Sequence, residues 1–322
     1  MNAPAKLGVY ALCLAGAFGL AAGAGRVVGP IGEDDTASAT AESEESGMAG
    51  HDDEAAGSPE EDGGHAEEDG GHGEEAGDAA HLPGGLMVSD HGYTFALTAD
   101  TLPAGADRPV SFVIDGPDGV VTEFDVEHEQ ELHLIAVRRD LTGYQHVHPV
   151  RAADGTWSVP LDLTPGEWKL FADFSTHGEA VTLGTDLSVP GDYQPAPLPA
   201  AGTTAQVDGY TVTLDGELHP GEESKLTLSV SRDGVPVTDL EPYLGAYGHL
   251  VALRDGDLAY LHVHPEGEPG DGVTPSGPDV SFFATAASVA DYRLFFDFEH
   301  DGVVRTAEFT VTAEDDAHEE DR

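Results

Sequence analysis

A chain of 322 residues has room for two or three domains, yet roughly its first eighty residues hold almost nothing that could form a core. Its formal charge of -48, from 13 Lys and Arg against 61 Asp and Glu, excludes nucleic acid as a partner, because phosphate contacts need Lys and Arg. Cys13 is the only cysteine and sits in the apolar N-terminal segment, so no disulfide staples the folded part and any metal chemistry must use His, Asp and Glu. The acidity itself reads first as a solvated surface and second as attraction for metal cations.

Residues 1–30 contain an uncharged apolar run from Leu7 to Gly25, closed by Arg26 and long enough to span a bilayer. It is read as a transmembrane anchor, with a cleaved signal peptide as the open alternative because Ala22-Gly23-Ala24 has the small-x-small form of a cleavage site. The expected location is therefore the cell membrane, single-pass with the C-terminal domains extracytoplasmic, or secretion after cleavage. Residues 31–83 are expected to be a disordered acidic linker. Between Glu33 and Asp78 there are 18 acidic residues and no Lys or Arg, a composition that cannot bury enough apolar surface to fold. His51, His65, His72 and His81 recur within it, where they capture divalent cations weakly or simply ride on a solubilising spacer.

From residue 84 short β-branched and aromatic runs alternate with polar residues and are punctuated by turn signals. Strands are predicted at Tyr93–Ala99, Val110–Asp115, Leu132–Val137, Tyr144–Val147, Trp157–Leu163, Trp168–Phe174 and Val181–Val189. Seven strands over residues 84–190 predict a sandwich of immunoglobulin size. Residues 191–202 form a Pro-rich linker, and the pattern then repeats over 203–313 before an acidic tail at 314–322. Thr122–Pro149 aligns without a gap with Thr238–Pro265, and the shared residues include His133, Tyr144 and His146-Val147-His148-Pro149 against His249, Tyr260 and His262-Val263-His264-Pro265. The expected fold class is all-β: two tandem Ig-like β-sandwich domains after an N-terminal transmembrane helix and a disordered stalk.

In the second repeat Asp255-Gly256 is a favoured two-residue hairpin turn. Centred there, the register places His249 opposite His262, with His264 two residues on and on the same face. His133, His146 and His148 follow the same pattern in the first repeat, though with a less certain turn. Three neutral imidazoles suffice for Cu(II) or Zn(II), with His177 and His300 as candidates for a fourth position and Asp173 and Asp297 as carboxylates that orient a ligand ring. The competing reading is structural: core-edge histidines satisfied by a local Asp, with Pro ending an edge strand. Cu(II) ranks first and Zn(II) second. Met48 and Met87 are the only methionines beyond Met1, and neither lies in a predicted strand, which argues against thioether-held Cu(I).

The run His-Leu followed by Arg, then His-Val-His-Pro, then Gly-Glu-Trp-Lys-Leu-Phe-Ala-Asp-Phe resembles bacterial exported, membrane-anchored proteins with repeated sandwich domains, loosely similar to CopC-like and YtkA-like metal-associated modules. The resemblance covers roughly residues 84–312 and implicates His133, His146, His148, His249, His262 and His264. The chain departs from it in lacking an N-terminal His ligand and Met-rich stretches, which argues against a copper-chaperone role. No Ser-His-Asp set, phosphate loop or dinucleotide fingerprint appears, so an enzyme is not expected. The expected function is a membrane-tethered metal-binding protein, with about one divalent ion per domain, that sequesters or hands on metal. The alternative is a structural or interaction module with a protein partner in the cell envelope.

Overall fold

The computed structural model describes residues 82–261 and 263–314, so the expectations for the N-terminal segment, most of the linker, His262 and nearly all of the tail lie outside it. Among the described residues no helix is long and apolar enough to cross a membrane. They form two β-sandwiches within one compact unit. The first holds β1 (Ser89–Asp90), β2 (Tyr93–Leu97), β3 (Gly105–Gly116), β4 (Gly119–Val120), β5 (His133–Arg138), β6 (Gln145–Val147), β7 (Val150–Arg151), β8 (Trp157–Leu163), β9 (Gly166–Thr176) and β10 (Glu179–Val189). The second holds β11 (Thr204–Val207), β12 (Tyr210–Asp215), β13 (Glu223–Arg232), β14 (Val235–Pro236), β15 (His249–Arg254), β16 (Val263–Pro265), β17 (Asp279–Thr285), β18 (Ala290–His300) and β19 (Val303–Ala313). Each of the seven strands expected in the first repeat coincides with an observed one.

In the first sandwich the sheet β1-β2-β3-β8-β7, with β4 on β3, faces the sheet β10-β9-β5-β6. In the second, β11-β12-β13-β17-β16, with β14 on β13, faces β15-β18-β19. Strand β8 alternates buried and exposed residues without interruption, as a strand with one wet face must. Its inward residues, led by Trp157, pack with Phe95, Phe112 and Trp168 in the first core.

Strands β5, β9, β15 and β18 do not alternate. From His133 to Val137 every residue of β5 is buried. Leu134 and Ala136 point into their own sandwich, whereas Ile135 and Val137 join a separate apolar cluster. That cluster takes Ile135, Val137, Leu141 and Phe171 from the first repeat and Val251, Leu253, Leu258 and Phe295 from the second. All but Leu141, at 2%, are 0% exposed. Both faces of these strands are covered because the two sandwiches bury one sheet of each against the other. Each such side chain gains roughly 1.5–3 kcal/mol over an exposed one, so the face joins the repeats without help from an ion.

The contacts across this face are reciprocal. Tyr144 of the first repeat stacks on Phe295 of the second, with ring centroids 4.0 Å apart and planes 4° apart. Tyr260, the counterpart of Tyr144, packs on Phe171, the counterpart of Phe295, at 5.6 Å. When one residue touches another and the counterparts do the same, the arrangement is that of a twofold dimer, here within a single chain. The segment before β1 runs through the same region: Tyr260 N–H donates to the Gly84 carbonyl at 3.0 Å. Gly85 lies so close to Phe171 that a Cβ would come within 2.4 Å of the ring.

Candidate metal centre

The expected register is shifted in both repeats. In the second, Leu253 pairs with Tyr260, and Arg254 N–H donates to the Ala259 carbonyl at 3.0 Å, so the loop is Asp255–Leu258 and not a two-residue turn. Asp257 holds this wider loop by accepting from the Ala259 N–H at 3.1 Å and from Arg254 Nε at 2.9 Å. The Asp-Gly signal loses to that clamp. On its β18 edge His249 lies opposite Asp297; its expected partner His262 lies outside the described residues. The chain beyond Leu261 crosses to the other sheet, where His264 pairs with Phe283 of β17. His264 is exposed there.

In the first repeat His146 lies opposite Ile135 and not opposite His133, a shift of two residues. An even shift keeps every side chain on its face, so His133, His146 and His148 still converge. Their ring centroids are 5.3 Å apart for His133 and His146, 5.0 Å for His133 and His148, and 5.1 Å for His146 and His148. The fourth ring comes from the other repeat: His249 lies 4.7 Å from His146 and 5.7 Å from His133. Among the described residues one nitrogen from each of His133, His146 and His249 falls within 4.8 Å of the other two, a group that can hold a metal ion. The described residues thus give one cluster drawn from both repeats.

Protons explain why this cluster suits a cation. His146 Nδ1–H donates to Asp297 Oδ2 at 3.0 Å, and both side chains are 2% exposed. That bond leaves a lone pair on His146 Nε2, which lies 3.0 Å from His133 Nδ1. His133 Nε2 lies 3.3 Å from the Glu127 carbonyl oxygen. A neutral imidazole has one N–H. If it points at Glu127, two lone pairs face each other; if it points at His146, a lone pair faces a carbonyl oxygen. Protonating His133 would satisfy both contacts, but burial and the neighbouring His146 push its pKa down to about 3. Burial also lowers His148 to about 4 and holds His249 well below the usual imidazole value. His148 Nε2 and His249 Nδ1 are buried without a hydrogen-bond partner. A divalent ion, bound by imidazole nitrogens at about 2.0–2.1 Å, satisfies such facing lone pairs. Nitrogens about 3 Å apart are close enough to share one ion.

Asp297 is the orienting carboxylate expected from the sequence, but it orients a ring of the other repeat. It also accepts from Thr306 Oγ1 on the neighbouring strand and from the Tyr144 hydroxyl at 3.3 Å. Its counterpart Asp173 accepts from Thr182 Oγ1 at 2.8 Å, and burial raises its carboxyl above the usual range. The two candidates for a fourth position lie elsewhere. His177 is exposed in the turn between β9 and β10. His300 has both ring nitrogens engaged, Nδ1 with the Tyr210 hydroxyl at 2.7 Å and Nε2 with Asp239 at 3.2 Å. Sequence reasoning missed His128, whose ring is 6.2 Å from His133 and 6.0 Å from His249. Its only signal was its place in the repeat alignment, opposite Leu244.

A comparison with curated proteins finds no match. Among solved structures the chain is similar to the adhesin InvE of Yersinia pseudotuberculosis, at 13% identity and TM-score 0.22, over 69% of this chain and 59% of that one. It is also similar to a Salmonella alpha-2-macroglobulin mutant, at 18% identity and TM-score 0.24, over 71% of this chain and 15% of that one. A titin structure is similar at 10% identity and TM-score 0.19, over 69% of this chain and 99% of that one. The family model described as "Domain of unknown function (DUF8832)" matches twice, over residues 87–191 and 205–315, and the chain belongs to that family.

Proposed function

We propose that the two repeats act as one structural and binding module outside the membrane, and that a transition-metal ion, Cu(II) first and Zn(II) second, is held between them. The observation that carries the metal reading is the group of His133, His146 and His249, contributed by both repeats and short of protons. An all-imidazole donor set suits Cu(II) and Zn(II), and affinity along the first-row series peaks at Cu(II). Attachment through Leu7–Gly25 would tether the module to the cell surface. Calorimetric titration of the full chain with Cu(II) tests the reading. One tightly held ion per chain is expected, and His146→Ala and His249→Ala, in different repeats, should each abolish that same ion. Two tight ions per chain, or an ion that survives His249→Ala, would sink it.

A second reading is favoured by the apolar face itself, which joins the sandwiches through eight buried side chains. On this reading the chain is a rigid spacer or docking module for an envelope protein, and the histidines only line its interface. It predicts no retained ion and a Tm indifferent to added copper or zinc.

A further inference from the structure

We infer that the ion is exchangeable cargo, passing between solvent and the cluster through a mouth lined by both repeats, with His128 as the carrying ligand; this rests on the metal reading above. A cavity of about 290 Å3 reaches His133 and His249, two of the three candidate ligands. Its wall includes Glu127, His128, Glu131 and His264, so the path inward is lined by carboxylates and imidazoles. His128 is exposed while its ring stays about 6 Å from both buried rings. It can therefore meet an ion in water and pass it inward with a small rotation.

The second repeat supplies an internal control. The tight turn at Glu127–Gln130 recurs at Tyr243–Ala246, each closed by paired backbone hydrogen bonds. His128 and Leu244 occupy the same left-handed position, with φ of 49° and 55°. Leu244 and Ala246 are each 4% exposed. Tyr243 beside them has its ring 6.5 Å from His146. One backbone thus carries an apolar plug in the second repeat and a polar, exposed His in the first. The turn itself does not ask for His128-Glu129, since two successive residues at positive φ favour Asn-Gly or Asp-Gly. A His is tolerated at such a position, as at His91 and His177 with φ of 52° and 54°, but only His128 borders the cavity. Asp173 borders the open side, whereas its counterpart Asp297 is covered by His146.

The test separates equilibrium from rate. The full chain is loaded with Cu(II), freed of weakly held ions by gel filtration, and mixed with excess EDTA. Release and the reverse uptake are followed by absorbance. His128→Leu, which copies the plug, and His128→Gly, which removes the ligand and relaxes the backbone, should keep one ion per chain and slow both rates at least tenfold. Unchanged rates in both variants would overturn the relay. Loss of the ion at equilibrium in both would overturn it too, making His128 a resident ligand. The double variant Glu127→Gln, Glu131→Gln should slow uptake at low salt and flatten its dependence on ionic strength; uptake as fast as the parent's would overturn the mouth. A parent chain that takes up no ion fails the underlying metal reading instead, and does so before any rate is measured.

Discussion

The tetrapeptide His-Val-His-Pro occurs twice, and its last three residues run two ways. In the first repeat it stays with β5, and His146 reaches across to Asp297. In the second, the chain leaves β15 after Leu261, and Val263–Pro265 pairs with β17 in the opposite sheet. The same letters thus build a wall of the cluster in one repeat and a rim of the cavity in the other. Duplication copies residues, but the site depends on which sheet each copy joins.

The largest expected effect concerns the face that both repeats share. Phe295→Ala and its counterpart Phe171→Ala each empty a fully buried ring position, and each should cost about 3–5 kcal/mol in denaturant unfolding. Near-equal losses would support the reciprocal packing; a loss below about 1 kcal/mol for either would break it. The carboxylates come next. Asp297→Asn should weaken Cu(II) binding by about 10–100-fold, the usual range for a residue that orients a ligand His. Asp173→Asn should change it less than about threefold. Equal effects would erase the distinction between a covered and an open side.

The last comparison concerns the pH response of the metal-free chain. His133 and His148 have pKa values of about 3 and about 4 in the folded state, below the free value near 6.5. Above pH 6.5 both are neutral whether folded or not and leave stability unchanged. Below it the unfolded chain binds protons that the folded chain refuses, so Tm should fall progressively between pH 6.5 and 4. Replacing both by Phe should flatten that stretch of the profile, and an unaltered slope would contradict the assigned burial.

Much of the fold was legible, because Trp157–Leu163 and its neighbours alternate as half-buried strands must. The join between sandwiches was written in the same sequence. Leu134 to Val137 and Leu294 to Phe296 are apolar without alternation, unlike strands with a wet face, and such runs mean burial on both sides. What pattern alone does not give is the partner that covers the second side. The convergence of His133, His146 and His148 was legible for a related reason: side-chain faces survive an even shift in register. The register at the Asp255–Leu258 loop was not, since it hung on one turn whose outcome Asp257 decides through its own side chain. The arrival of His249 beside His146 depends on docking between domains, which local spacing does not encode.

The reciprocal packing of Tyr144 on Phe295 and Tyr260 on Phe171 bears on how the chain can be cut. Either sandwich expressed alone would present a sticky sheet whose natural cover is something shaped like itself. Its expected form in solution is a homodimer rather than a monomer, and in a homodimer of the first repeat every position now held by His249 would be taken by a second His133.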